Sequence, residues 1–157
     1  MPLASDSRRQ QGESTMLTRD RRRRWAMIFF SAALFNYAIG LPIMFARRWS
    51  YDLSYVESVS RDPMALRLWA DFGFAVVLIG FGYQLISRDV TKNRGIVLLG
   101  IIAKLFDVFN LSNLFLRGLA KPIVLIPALI DAAYVVLFVA FWVSSARTLA
   151  EEGDAAA

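Results

Sequence analysis

The sequence predicts an all-α polytopic membrane protein, an up-down bundle of four transmembrane helices. Hydrophobic residues make up 57% of its 157 positions, well above the roughly 45–50% usual in soluble domains. Four apolar stretches occur, each near the ~20 residues that cross a ~30 Å hydrocarbon core. The arginines cluster outside those stretches, where lipid headgroups would meet them.

Residues 1–24 read as a disordered cytoplasmic tail. They are polar, contain the acids Asp6, Glu13 and Asp20, and end in the run Arg21 to Arg24. The apolar stretch that follows is too long for a signal peptide and is closed by Arg47 and Arg48 rather than by a small-residue cleavage site, so it is expected to stay as a first helix, about 25–46. The next connection, about 47–62, is the only one long enough to hold extra structure. Asp62 followed by Pro63 is an N-cap with proline at the first helical position, which opens a second helix, about 63–87. Asn93, Arg94 and Gly95 supply turn chemistry leading into a third helix, about 95–117. Pro122 stands at the start of a fourth, about 122–147, and residues 148–157 form a short acidic tail. The connections before and after the third helix are short, which predicts that helices 2, 3 and 4 are antiparallel neighbours.

Four crossings return the chain to its starting side. The side bearing the termini holds Arg8, Arg9, Arg19, Arg21 to Arg24, Arg88, Lys92, Arg94 and Arg147; the other holds Arg47, Arg48, Arg61, Arg67, Arg117 and Lys121. The excess predicts cytoplasmic termini for a multi-pass protein of the inner (plasma) membrane. Trp25, Tyr83 and Trp142 are expected at the inner interface, and Trp49, Tyr51, Tyr55 and Trp69 at the outer one.

The chain has no cysteine and no histidine, which removes disulfides, thiol catalysis, Cys/His zinc sites and bis-histidine haem. No cofactor or metal is expected, although a carboxylate site for a hard cation stays open. The net charge of +5 is read as membrane orientation rather than nucleic-acid binding. The expected partners are the lipid bilayer and a membrane protein or a second copy of this chain.

Charged side chains at bilayer depth cost at least ~2.5–3.5 kcal/mol and usually face a bundle interior. Three lie deep here: Lys104, Asp107 and Asp131. Lys104 and Asp107 share a face of the third helix, and Asn110 continues that side by another turn. With Asn36, the charged trio falls near the midplane and can form one cluster, so Asn36, Lys104, Asp107, Asn110 and Asp131 are the candidate ligand-binding residues. As interhelical glue, Lys104 would pair with Asp107 or Asp131. One lysine cannot neutralise two carboxylates, however, so a spare acid is left to hold a proton, a cation or a polar ligand. Asp71, one turn below Arg67, reads as an interfacial ion pair. Small residues mark expected helix contacts: Ala32, Asn36 and Gly40 on the first helix; Gly73, Val77 and Gly80 on the second; Ala128 and Ala132 beside Asp131. Phe72, Phe74, Phe106 and Phe109 read as lipid-facing filler. Pro42 and Pro127 interrupt the first and fourth helices without an internal repeat around them.

The run from Arg88 to Phe106, with its short basic turn, Gly95, Gly100 and Lys104, resembles a segment of small four-helix bacterial inner-membrane proteins. The general layout is similar to the DoxX-like proteins. The resemblance implies a bacterial membrane protein and brings no catalytic residues with it. An accessory or interaction role in the membrane is the first expectation. Small-molecule, lipid or ion binding or transport at the midplane cluster is the second. An intramembrane enzyme acting on a hydrophobic substrate is the third, and there the carboxylates and Lys104 would have to do all the chemistry.

Overall fold

A computed structural model describes residues 3–90 and 92–154, with side chains described between residues 19 and 145. The chain is an all-α four-helix bundle with one short additional helix. In order, the elements are α1 (Leu3–Phe45), α2 (Arg47–Ser54), α3 (Pro63–Arg88), α4 (Arg94–Leu116), a 3-10 turn (Pro122–Val124) and α5 (Leu125–Asp154). Among the described residues, four helical segments are long and apolar enough to cross a membrane: Arg19–Phe45, Pro63–Arg88, Arg94–Leu116 and Pro122–Ser145. The helical backbone of α1 begins well inside the stretch expected to be tail, and α5 continues past the expected end near 147. Good helix formers such as Glu13, Met16 and Leu17 at one end and Leu149, Glu151 and Glu152 at the other permit both extensions.

The start signals act as expected. The Asp62 carboxylate accepts the backbone N–H of Ala65 at 2.8 Å, which satisfies one of the free amides of the first turn of α3. Pro122 opens the 3-10 turn, which runs into α5. Asn93 has φ 62°, a left-handed backbone that asparagine tolerates better than most residues, and it turns the chain directly into α4. The first connection does hold extra structure, namely α2. Beyond it, Lys121 N–H donates to the Ser54 carbonyl at 2.8 Å, and Val56 N–H donates to the Leu119 carbonyl at 3.2 Å. The first connection and the short one after α4 are thereby tied together at one end of the bundle, the α2 end; the other is the terminal end.

The predicted small-residue ladders of α1 and α3 mesh with each other. A Cβ added at Gly40 would stand 2.8 Å from the Gly73 carbonyl oxygen, and one at Gly73 would stand 2.9 Å from the Gly40 carbonyl oxygen. Only glycine allows that backbone approach, which in lipid replaces the missing hydrophobic drive with close packing. Gly80 sits equally close to Asn36. The expected α3–α4 neighbourhood is present, with Tyr83 of α3 against Gly100 of α4 and Gly82 against Ile96.

The core has two parts. Towards the terminal end, Phe29, Ala32, Ala33, Tyr83, Ile86, Val97, Ile101, Phe138 and Phe141 form one buried cluster. Phe29 stacks on Phe138 with ring centroids 4.8 Å apart and meets Phe141 edge-on at 5.1 Å. Towards the α2 end, Ile43, Tyr51 and Trp69 form a smaller cluster, joined by Tyr55 and Phe72. Leu34, Leu78, Phe106, Phe109 and Leu129 are exposed on the bundle exterior, as a lipid-facing surface requires. Phe74, Phe106 and Phe109 are thus the filler expected, but Phe72 is not. It turns inward and stacks on Trp69 at 5.5 Å.

Tyr83 belongs to the cluster near the terminal end. It is fully buried and packs on Phe138. The reason is room: Gly100 leaves space for the phenol, whose hydroxyl donates to the Gly100 carbonyl at 3.3 Å. Trp142 and Arg94 do meet near the terminal end, the guanidinium carbon lying 4.8 Å from the indole centroid. Arg67 and Asp71 form the exposed ion pair expected of them, at 3.4 Å.

Candidate functional site

Near mid-depth, Lys104 of α4 is almost fully buried. Its ammonium donates to the carboxylate of Asp131 on α5 and to the side-chain oxygen of Asn36 on α1 at 3.3 Å. The Asn36 amide nitrogen in turn donates to the Val76 carbonyl of α3 at 3.1 Å. One lysine thus links all four spanning helices. Three aromatic faces complete its surroundings, with Tyr134, Phe35 and Tyr83 centroids 5.1, 5.4 and 5.6 Å from the nitrogen. Such faces stabilise a desolvated cation electrostatically.

Of the two possible partners, the structure chooses Asp131. Lys104 reaches across to α5, and Asp107 lies one turn C-terminal to it on α4. Asp107 makes no hydrogen bond or ion pair among the described residues. Its carboxylate faces a cavity.

That cavity has a volume of about 210 Å³ and extends from Asn36, Asp107 and Asp131 at mid-depth towards α2. Phe35, Trp69 and Phe72 supply aromatic wall; Trp49, Ser50, Leu53 and Ser54 of α2 stand at the far end. Ser50 is buried because its hydroxyl accepts the Trp69 indole N–H at 3.0 Å while donating to the Arg47 carbonyl at 3.1 Å. This bond holds the indole plane in place against α2. Pro42 and Pro127 both line the cavity as well. Proline lacks an N–H, so Pro42 leaves the carbonyl of Ala38, another lining residue, without its usual helical donor.

Of the five candidate residues, Asn36, Lys104 and Asp131 are brought into contact, and Asp107 joins them across the cavity floor. Asn110 is not in the group. It lines a separate shallow cleft of about 270 Å³ with Tyr51, Tyr55 and Leu68; Trp69, Phe72 and Leu111 line both spaces. Six residues at ~100° each rotate Asn110 about 120° from Lys104, far enough to leave the shared face. Sequence reasoning missed Ser50, Trp69, Phe72 and Tyr134. A signal existed for Ser50: Arg47, Arg48 and Asp52 flank Ser50 and Tyr51, so only a narrow stripe of α2 can turn inward.

No protein-family profile, curated protein or solved structure matches the chain. Among the described residues no group of His, Cys, Asp or Glu is arranged to hold a metal ion.

Proposed function

We propose that the protein is a membrane-embedded small-molecule binding protein, a receptor or carrier, whose site is the cavity floor formed by Asn36, Asp107 and Asp131. One observation carries this reading: a carboxylate with no cation of its own, Asp107, faces a cavity that reaches it from the α2 end. An acid at this depth is costly to keep for structure alone. Lys104 and Asp131 account for each other as a tie between helices, and Asp107 is the group their pairing leaves over. A carrier of this size would function as a pair of copies, because four helices offer little to move against one another.

The same reading puts both termini in the cytoplasm of a bacterial inner membrane. Its support is the excess of basic residues at the terminal end. Reporter fusions at each terminus test it, and a periplasmic signal from either would overturn that orientation.

The binding reading is tested by purifying the protein in native lipid and identifying by mass spectrometry what it retains. A specific small molecule is expected with wild type and is expected to be lost from Asp107→Asn. If wild type and variant carry only the same bulk lipids, the accessory role takes its place, with all three charges serving the bundle.

A further inference from the structure

We propose that the cavity takes a small hydrophobic monocation bearing N–H donors, a protonated amine, with Asp107 as its counter-ion. This rests on the binding reading above and adds the class of ligand. The first support is charge. Two carboxylates, Asp107 and Asp131, line the cavity floor, and the one ammonium beside them, that of Lys104, is already engaged by Asp131 and Asn36. The second is the direction of the hydrogen bonds. Side-chain donors around the cavity are committed to protein acceptors: Ser50 to the Arg47 carbonyl, Ser54 to the Ser50 carbonyl, and the Trp69 indole to Ser50. Asn36 spends an amide hydrogen on Val76. Besides its other hydrogen, only the indole of the exposed Trp49 is left to give. The acceptors, by contrast, are in surplus. Asp107 has no donor among the described residues, and Pro42 withholds the usual one from the carbonyl of Ala38.

A ligand that matched this lining would therefore bring the positive charge and the N–H groups with it. Its body is set by the walls. Phe35, Trp69 and Phe72 present rings, which favour a cation and an apolar skeleton together. A cavity of about 210 Å³ exceeds the ~150 Å³ that holds a benzene ring, so one ring with a short aminoalkyl chain fits.

The test uses the full chain in nanodiscs of zwitterionic lipid and titrates 2-phenylethylammonium, 2-phenylethanol and phenylacetate against tryptophan fluorescence, which Trp49 and Trp69 report from the cavity. Saturable binding of the ammonium is expected, at least about tenfold tighter than the alcohol, as for a charge meeting a desolvated counter-ion. Asp107→Asn is expected to remove that preference. Ala38→Leu, which narrows the cavity and leaves Asp107 in place, is expected to weaken every probe that binds. Equal binding of the alcohol, tighter binding of phenylacetate, or no saturable binding of the ammonium would overturn the amine. Should Asp107→Asn fail to fold, the wild-type ratio of ammonium to alcohol still decides. If the alcohol or phenylacetate binds best and Ala38→Leu weakens it, the ligand class falls while the cavity remains a binding site; the molecule retained from native lipid judges that reading separately.

Discussion

The two halves of the bundle use the same kinds of residue to opposite ends. Towards the terminal end, Phe29, Tyr83, Phe138 and Phe141 fill the centre with interlocked rings, and each is 4% exposed or less. Towards the α2 end, Phe35, Trp69 and Phe72 stand around a cavity instead of filling it. The difference does not come from loose helices. Gly40 and Gly73 make their tightest backbone contact in the hollow half. The space is therefore on the other side of that contact, between the α1–α3 pair and the α4–α5 pair, and the Lys104 group marks where solid packing stops. A bundle can thus be rigid and hollow at the same depth when the small residues close one seam and the large ones brace another.

The Lys104 group gives the largest expected break in this picture. Asp131→Asn leaves a buried ammonium without its carboxylate and is expected to destabilise the bundle by about 3–5 kcal/mol. Replacing both partners, Lys104→Met with Asp131→Leu, is expected to recover most of that loss. Reversible unfolding in mixed micelles measures both, and a double variant no better than the single one would show that the pair has a role beyond neutralising itself. Next comes the ring packing. Phe138→Ala is expected to cost roughly 3 kcal/mol, because its neighbours cannot collapse into the gap. Phe72→Ala, beside space that already exists, is expected to cost clearly less. Equal losses would mean that the two halves are equally packed.

Gly73→Ala pushes a methyl group against Ile43 and the Gly40 carbonyl, and about 1–3 kcal/mol of overpacking is expected. Gly95→Ala, with nothing within 4 Å, is expected to be neutral or slightly stabilising through helix propensity. The same unfolding measurement compares them. The smallest effect is a pH dependence at the α2 end. The Ala65 N–H, and then the Ser60 hydroxyl, hold the Asp62 carboxyl below its ordinary value of 3.8. A depressed value means stability that is present above about pH 4 and lost as pH falls through the folded-state value. Unfolding of Asp62→Asn compared with wild type between pH 6 and 3 checks the sign: the gap should narrow as the pH drops.

The positions of the spans, the Asp62 cap, the Asn93 turn and the α1–α3 seam were all legible in the order of residues. Each depends on neighbours within a few positions or on a repeat of small side chains. Crossing a membrane is a property of about twenty consecutive residues whose backbone must bond to itself, so it needs no knowledge of the partner helices. The depth of Lys104, Asp107, Asp131 and Asn36 followed from the same count. The order of residues left the partner of Lys104 open between Asp107 and Asp131, and only the tertiary structure chose Asp131. The rest depended on how helices rotate and how far apart they stand, which no single helix specifies. Only the tertiary structure turned Phe72 inward, buried Tyr83 against Gly100, set Ser50 beneath the Trp69 indole and carried Asn110 away from the charged group. It also left Asp107 facing a cavity, because where four helices fail to fill the space between them is a property of all four together.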